Sequence, residues 1–183
     1  MEILAVSLAI IYLLLAVQQN ILCWLAAILS SSLYFFIMFS AGLYMEAFLQ
    51  IFYILMALYG WSQWQVKETE LLVTNWDFSN HLKSLMLIFV LTIISGYLLA
   101  KYTKASLPYL DAFTTWGAVV ATYMVAKKLL ENWIYWFVID FVSVFLFISR
   151  ELYITAFLFT GYLIIIVFGY LAWKRSMLQT KRG

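Results

Sequence analysis

Four polar residues lie inside long apolar stretches at spacings that place them on shared helix faces. Asp140 and Ser143 are three residues apart in one stretch, and Gln50 and Tyr53 have the same spacing in another. Side chains three or four residues apart are neighbours on one face of a helix. An ionisable group in such a stretch is costly and usually faces a cavity or the interior of a helical bundle. The pattern indicates an internal site for a small polar ligand.

Each pair suits a defined kind of chemistry. The Asp140 carboxylate could attract a cationic substrate, bind a coupling proton or sodium ion, or pair with a buried lysine. Gln50 and Tyr53 could hydrogen-bond a ring-bearing ligand, although Gln50 could instead bond another helix. Aromatic rings could stack on a flat heterocycle, with added cation–π attraction if the heterocycle is charged. The candidate substrate-binding residues are Gln50, Tyr53, Trp61, Trp136, Asp140, Ser143 and Tyr162.

The other reactive side chains are too few for most enzymatic chemistry. Cys23 is the only cysteine and His81 the only histidine, and we place His81 in a polar loop. A disulfide, a CxxC metal site and a Ser–His–Asp triad are therefore excluded or nearly so. A membrane-embedded transferase, the distant alternative, would need clustered carboxylates, and only Asp140 lies deep in an apolar stretch. We expect no enzymatic activity, no catalytic residue, no metal site and no cofactor.

The composition indicates a lipid environment. Of the 183 residues, 66% are hydrophobic and 11% are charged, whereas about 25% of residues are charged in an average soluble domain. The formal net charge of +2 is too small to suggest a nucleic-acid partner. Most Trp and Tyr residues lie near the ends of apolar stretches, where we expect them to be interfacial anchors.

Seven apolar stretches are interpreted as membrane helices. A helix needs about 20 residues to cross the hydrocarbon core. The stretches are residues 3–17, 21–39, 43–64, 82–100, 112–126, 132–148 and 152–173. Three Lys and Arg residues fall on the N-terminal side of the predicted membrane and eight on the C-terminal side. The positive-inside rule then places the N-terminus outside and the C-terminus in the cytoplasm.

The third and seventh stretches are similar at a constant offset of 109 residues. The matched positions include tyrosine, glycine and tryptophan: Tyr53 with Tyr162, Gly60 with Gly169, and Trp64 with Trp173. Upstream, Asn20 and Trp24 match Asn132 and Trp136 at an offset of 112, which implies a small gap. Two three-helix copies joined by one helix have the same orientation, as in sugar carriers of the SWEET type. This favours a carrier, and the alternatives are a duplicated scaffold without transport or an assembly partner.

The predicted fold class is therefore an all-α integral membrane protein with seven transmembrane helices as 3+1+3 parallel repeats. The first three-helix repeat covers residues 1–66, and residues 67–110 form a polar loop, the connector helix and a further loop. The second three-helix repeat covers residues 111–175, and residues 176–183 form a cytoplasmic tail.

Two tryptophan motifs occur in a defined order along the chain. Tyr-Gly-Trp-x-x-Trp spans residues 59–64 after Leu43-Tyr44 and Leu49-Gln50, and Glu-Asn-Trp-x-x-Trp spans residues 131–136 after Lys127-Lys128. With Gly169 and Trp173, these segments resemble the PnuC family of vitamin transporters over nearly the whole chain. The resemblance implies a SWEET-like, often trimeric carrier in a bacterial inner membrane. It also implies facilitated diffusion, with a cytoplasmic kinase that traps the substrate.

Proteins of the family that this chain resembles carry nicotinamide riboside, thiamine or riboflavin. The resemblance implies asparagines in the riboside-transporting pattern where this chain has Ala57, Asp140 and Phe168, while Gln50 is kept. Loss of amide groups disfavours a ligand with a ribose, because a site built for hydrogen bonds discriminates by them. Thiamine, a cation without ribose, is narrowly preferred. Nicotinamide riboside, also a cation, is the alternative, followed by riboflavin.

Overall fold

The computed structural model describes residues 2–40, 44–65, 71–103, 107–149, 151 and 153–180, and most of them are helical. The seven helices within these residues are α1 Glu2–Val17, α2 Leu22–Ser40, α3 Tyr44–Trp64, α4 Phe78–Tyr102, α5 Pro108–Ala126, α6 Asn132–Ser149 and α7 Tyr153–Thr180. Each helix contains one of the predicted apolar stretches apart from a residue at an end. The all-helical, seven-helix prediction is confirmed.

Three helix ends differ from the predicted stretches. α4 begins at Phe78, so His81 lies in a helix and its placement in a polar loop is wrong. α5 begins at Pro108, whose fixed φ suits the first helical turn. α7 continues through the basic residues to Thr180. Hydropathy marks the part of a helix that suits lipid, whereas backbone hydrogen bonds extend further, and this accounts for the differences.

Within the described residues, α4, α6 and α7 are each long and apolar enough to cross a bilayer. α4 buries only 11% of its most apolar window inside the protein. Its side chains Leu85, Leu87 and Phe89 are all more than half exposed. An apolar surface of this kind is suited to lipid rather than water.

The chain forms two compact units. Unit 1 consists of Met1–Val73, Val125–Lys128 and Ala172–Gly183, and unit 2 of Thr74–Met124 and Leu129–Leu171. In unit 1, α2 packs against both α1 and α3. The buried Ser30 hydroxyl on α2 donates a hydrogen bond of 2.9 Å to the Ala5 carbonyl of α1. Small residues allow membrane helices to approach closely at such a crossing.

In unit 2, an extended segment before α4 lies against the turn between α5 and α6. Thr74 and Leu129 form an isolated parallel β-bridge, and the Leu130 N–H donates to the Thr74 carbonyl at 2.9 Å. α4 and α5 are joined by a side-chain bond, from Trp116 Nε1 to Ser95 Oγ at 2.9 Å. These contacts place the first turns of α4 and α6 at the same end of unit 2.

The turn from α1 to α2 repeats the turn from α5 to α6. Gln19 and Lys128 both have a left-handed backbone, with φ of 54° and 50°, and they are 109 residues apart. The equivalent backbone bonds run from Asn20 N–H to the Leu15 carbonyl at 2.9 Å, and from Leu129 N–H to the Met124 carbonyl at 3.0 Å. The two turns therefore have the same fold at the offset found for α3 and α7.

The offset of 109 residues holds upstream of α3 and α7 without a gap. The Trp24 ring packs against Gly60, and the Trp133 ring packs against Gly169. Trp24 thus corresponds to Trp133, and the matching of Trp24 with Trp136 at an offset of 112 is wrong. The error arose because residue identity was compared, while the repeated feature is the turn and its packing.

Three tryptophans are core residues rather than interfacial anchors. Trp24, Trp133 and Trp173 are 1%, 2% and 0% exposed. The expectation of interfacial anchors is wrong for these three. Composition cannot distinguish a ring at the lipid headgroups from a ring that packs on a helix glycine.

Candidate functional site

One face of α6 in unit 2 carries three of the predicted site residues. Asp140 and Ser143 are each 5% exposed, and Trp136, one turn before Asp140, is half-buried. The apolar residues Ile139 and Leu146 are buried beside them. Because these positions recur every three or four residues, they lie on one side of the helix. The structure thus brings an indole, a carboxylate and a hydroxyl onto one buried face.

The Asp140 carboxylate lies in an apolar setting without a basic neighbour in the described part of unit 2. Lys83 and Lys101, the lysines described there, are both exposed. A buried charge is strongly unfavourable unless it is paired. A cationic ligand at this face would supply the missing charge, whereas an anionic ligand would be repelled.

Tyr162 belongs to an aromatic row at α6 and α7. Its ring lies 5.4 Å from the Phe159 ring, between centroids, and Phe159 lies 4.9 Å from Phe147. Tyr162 itself is half-buried. It corresponds to Tyr53 at the offset of 109 residues.

In unit 1, Gln50 and Tyr53 are half-buried on one face of α3. Trp61 lies farther along the same helix, about 12 Å beyond Tyr53 at 1.5 Å per residue. Its indole N–H donates to Gln65 Oε1 at 3.1 Å. The structure therefore pairs Gln50 with Tyr53 but directs the Trp61 indole N–H towards the end of α3. Leu43 of the sequence motif lies outside the described residues, as do Lys67, Lys104, Arg150, Lys181 and Arg182.

Two tryptophans in unit 1 bond reciprocally to the ends of two other helices. Trp64 Nε1 donates to the Ala126 carbonyl at 3.1 Å, and Trp173 Nε1 donates to the Ala16 carbonyl at 2.9 Å. The two rings are 6.2 Å apart. The buried Lys128 places its ammonium 4.7 Å from the Trp64 ring centroid, within cation–π range. This end of unit 1 is thus fixed by aromatic packing and carries buried positive charge.

The sequence model of the family described as "Nicotinamide mononucleotide transporter" matches residues 1–175. The chain belongs to this family. A solved structure described as "Crystal structure of the Vitamin B3 transporter PnuC" is similar to this transporter with a TM-score of 0.75 and 20% sequence identity. The similarity covers 97% of this chain and 82% of that chain. The predicted PnuC-like fold is confirmed.

Membership of the family decides several of the sequence predictions. The protein is a multi-pass membrane transporter and not an enzyme. The two descriptions name nicotinamide mononucleotide and vitamin B3 for the proteins they describe, and neither names thiamine. The narrow preference for thiamine therefore gains no support, and its alternative is favoured.

Two polar residues of this transporter were not among the predicted site residues. Among the described residues, Trp24 Nε1 and Asn132 Oδ1 are buried without a hydrogen-bond partner. Asn132 Nδ2 donates to the Leu129 carbonyl at 2.6 Å, so half of its amide is used. Buried polar atoms are normally paired with protein or water. Both atoms are thus available to water or substrate, and sequence alone gives no signal for this, since it depends on helix packing.

Proposed function

We propose that this transporter carries a nicotinamide nucleoside, with nicotinamide riboside as its substrate, across the cell membrane. The observation that carries the proposal is the buried α6 face with Trp136, Asp140 and Ser143. A carboxylate can pair with the pyridinium charge, a hydroxyl can bond the ribose, and an indole can stack on the ring. The family description and the vitamin B3 relative support the same class of substrate.

The riboside fits this face better than the mononucleotide does. A phosphate group carries roughly −1.5 to −2 charges near neutral pH, and the Asp140 carboxylate would repel it. Lys83 and Lys101, the described lysines of unit 2, are exposed and distant from the buried face. We therefore infer that a phosphorylated substrate is disfavoured.

Thiamine is the second candidate, because one observation favours it. Ala57 is 1% exposed and offers no hydrogen-bonding side chain where the riboside pattern has asparagine. Phe168 carries less weight, since it is 62% exposed and does not belong to a buried site. Asp140 is compatible with either cation. Of the three departures from the riboside pattern, only Ala57 favours thiamine specifically.

Further parts of the proposal concern how transport operates in the cell. We propose facilitated diffusion without ion coupling, trapping by a cytoplasmic kinase, and a homotrimer. The distribution of basic residues supports a cytoplasmic C-terminus and an outer N-terminus. Kinase trapping and the trimer rest on the resemblance to PnuC proteins.

Calorimetric titration of the purified transporter in detergent tests the choice of substrate. We expect nicotinamide riboside to bind more tightly than thiamine, and the mononucleotide and riboflavin to bind least. Tighter binding of thiamine would replace the lead substrate with the second candidate. Tightest binding of the mononucleotide would contradict the role given to Asp140.

A further inference from the structure

An apolar cavity in unit 2 has a polar cluster at one end, on a face of α6 turned away from Asp140. The cavity has a volume of about 430 Å³ and lies between α4, α5 and α6. Glu131, Tyr135 and Val138 line it from α6. At 100° per residue these positions point away from Asp140. The cavity is therefore separate from the proposed vitamin site.

The wall of the cavity is almost entirely apolar and partly open to the surroundings. Leu85, Ile88 and Phe113 contribute from α4 and α5, and Val138 and Ile139 contribute from α6. Leu85 is 52% exposed and Val138 is 45% exposed. Because α4 and α6 are membrane-length helices, the opening faces hydrocarbon. The medium that can fill the cavity from this side is lipid.

The polar cluster consists of His81, Glu131 and Tyr135. His81 Nδ1 lies 3.0 Å from the Tyr135 hydroxyl, and the two rings stack at 5.8 Å. Glu131 Oε2 accepts the Trp76 backbone N–H at 3.3 Å. His81 Nε2 is 3.8 Å from Glu131 Oε1, which is longer than a hydrogen bond. Glu131 Oε1 can therefore accept a further donor.

The cluster lies where the headgroup of a lipid would be. His81 is in the first turns of α4, and Glu131 precedes α6. Both helices begin at this end of unit 2, so the cluster marks the boundary of the hydrocarbon region. An apolar cavity that ends in a carboxylate matches an acyl chain attached to a cationic headgroup.

We propose that this cavity binds one phospholipid with an amine-bearing headgroup, of the phosphatidylethanolamine type. An acyl chain occupies the space beside Leu85, Ile88 and Val138, and the ammonium group donates to Glu131 Oε1. The volume is in the range of about 300–1,000 Å³ typical of small-molecule sites. The carboxylate attracts an ammonium group and repels an anionic phosphatidylglycerol headgroup.

Native mass spectrometry of the purified transporter with added synthetic lipids tests the headgroup. We expect phosphatidylethanolamine to bind more tightly than phosphatidylglycerol of the same chain length. Glu131→Gln should weaken phosphatidylethanolamine binding by roughly tenfold, the effect of losing one charge-assisted hydrogen bond. Glu151→Gln, which removes an exposed carboxylate elsewhere, is the matched control and should leave the difference unchanged. Equal binding of both lipids to the unaltered protein would overturn the headgroup assignment.

A pair of substitutions on α4 tests the cavity. Leu85 lines it and Leu87 does not, and both side chains are 52% exposed. Leu85→Trp should fill the cavity and reduce lipid binding, whereas Leu87→Trp should not. Equal lipid binding by the two variants would contradict the proposal. So would cross-linking between copies through Leu85→Cys, because a second copy of the chain would then cover the opening.

Discussion

Asp140 has the strongest claim to a functional role among the single residues. It is 5% exposed within a membrane-length helix, and the described lysines of unit 2 do not reach it. A residue that is costly to bury and contributes no described ion pair is most simply explained by a ligand. Its role is separable from a structural one, because a structural and a binding carboxylate respond differently to an apolar substitute.

Asp140→Leu should lower nicotinamide riboside uptake by tenfold or more, because it removes both the charge and the hydrogen-bond acceptor. Asp140→Asn should lower uptake less, since the amide retains an acceptor. Thermal unfolding in detergent should show Asp140→Leu to be as stable as the unaltered protein or more stable, because an apolar group replaces a buried charge.

The control for the Asp140 variants is Asp77→Asn, which removes an exposed carboxylate that makes no side-chain cap bond. It should leave both uptake and unfolding temperature unchanged. If Asp140→Leu unfolds at a much lower temperature while its remaining folded fraction transports normally, Asp140 is structural and the site lies elsewhere.

Two glycines allow two buried tryptophans to pack against α3 and α7. A Cβ atom on Gly60 would collide with the Trp24 ring, and one on Gly169 would lie 2.6 Å from Trp133 Cη2. Gly60→Ala and Gly169→Ala should each destabilise the protein by about 1–3 kcal/mol through overpacking. Thermal unfolding of the two variants measures the loss.

Gly161→Ala is the matched control, because a Cβ atom there meets nothing within 4 Å. It should be neutral or slightly stabilising, since alanine is the better helix former. Equal stability of all three alanine variants would contradict the tight packing of the tryptophans.

At the scale of elements, the repeated turn gives a test at Gln19. Its φ of 54° is left-handed, a conformation that costs non-glycine residues about 1–2 kcal/mol. Gln19→Gly should therefore raise the unfolding free energy by about 1 kcal/mol, after the extra chain entropy of glycine is subtracted. Chemical or thermal unfolding in detergent is the measurement.

The neighbouring Gln18→Gly variant, which relieves no left-handed strain, should not stabilise the protein. Lys128→Gly should not stabilise it either, although the φ of Lys128 is 50°. The lysine ammonium packs over the Trp64 ring, and this contact would be lost. Stabilisation by Gln18→Gly equal to that by Gln19→Gly would rule out the explanation.

The seven helices could be predicted from sequence because hydropathy directly reflects the surrounding lipid. Helix ends were less predictable, since the polar residues of α4 around His81 belong to the helix but not to its apolar stretch. The burial of Trp24 and Trp133 was missed because it depends on glycines about 36 residues away in the chain. A glycine opposite each tryptophan becomes a signal only when the repeat is aligned at one offset.

The candidate site was predictable in part for the same reason. Helix periodicity places Trp136, Asp140 and Ser143 on one face, as it does Gln50 and Tyr53. It does not show that Trp61 bonds to Gln65, because the choice of side-chain partner is made locally. The unpartnered Asn132 Oδ1 atom also depends on packing that no local pattern encodes.

At the scale of the whole molecule, the repeated turns and the matched tryptophan–glycine pairs indicate two copies of one structural unit. Parallel repeats of this kind suit alternating access around a central site in carriers. The copies differ at the positions proposed for binding, since Asp140 corresponds to Ser31 and Gln50 to Phe159 at the same offset. We therefore expect an asymmetric site in a symmetric scaffold, as a small asymmetric cation requires.

The most direct test of the account is uptake of radiolabelled nicotinamide riboside into proteoliposomes that contain only this protein. The labelled riboside should enter until the internal and external concentrations are equal, without an ion gradient, and unlabelled riboside inside should accelerate its entry. Nicotinamide mononucleotide should compete poorly. Absence of riboside uptake by folded protein, or accumulation above the external concentration only when an ion gradient is imposed, would contradict the proposed substrate or the proposed mechanism.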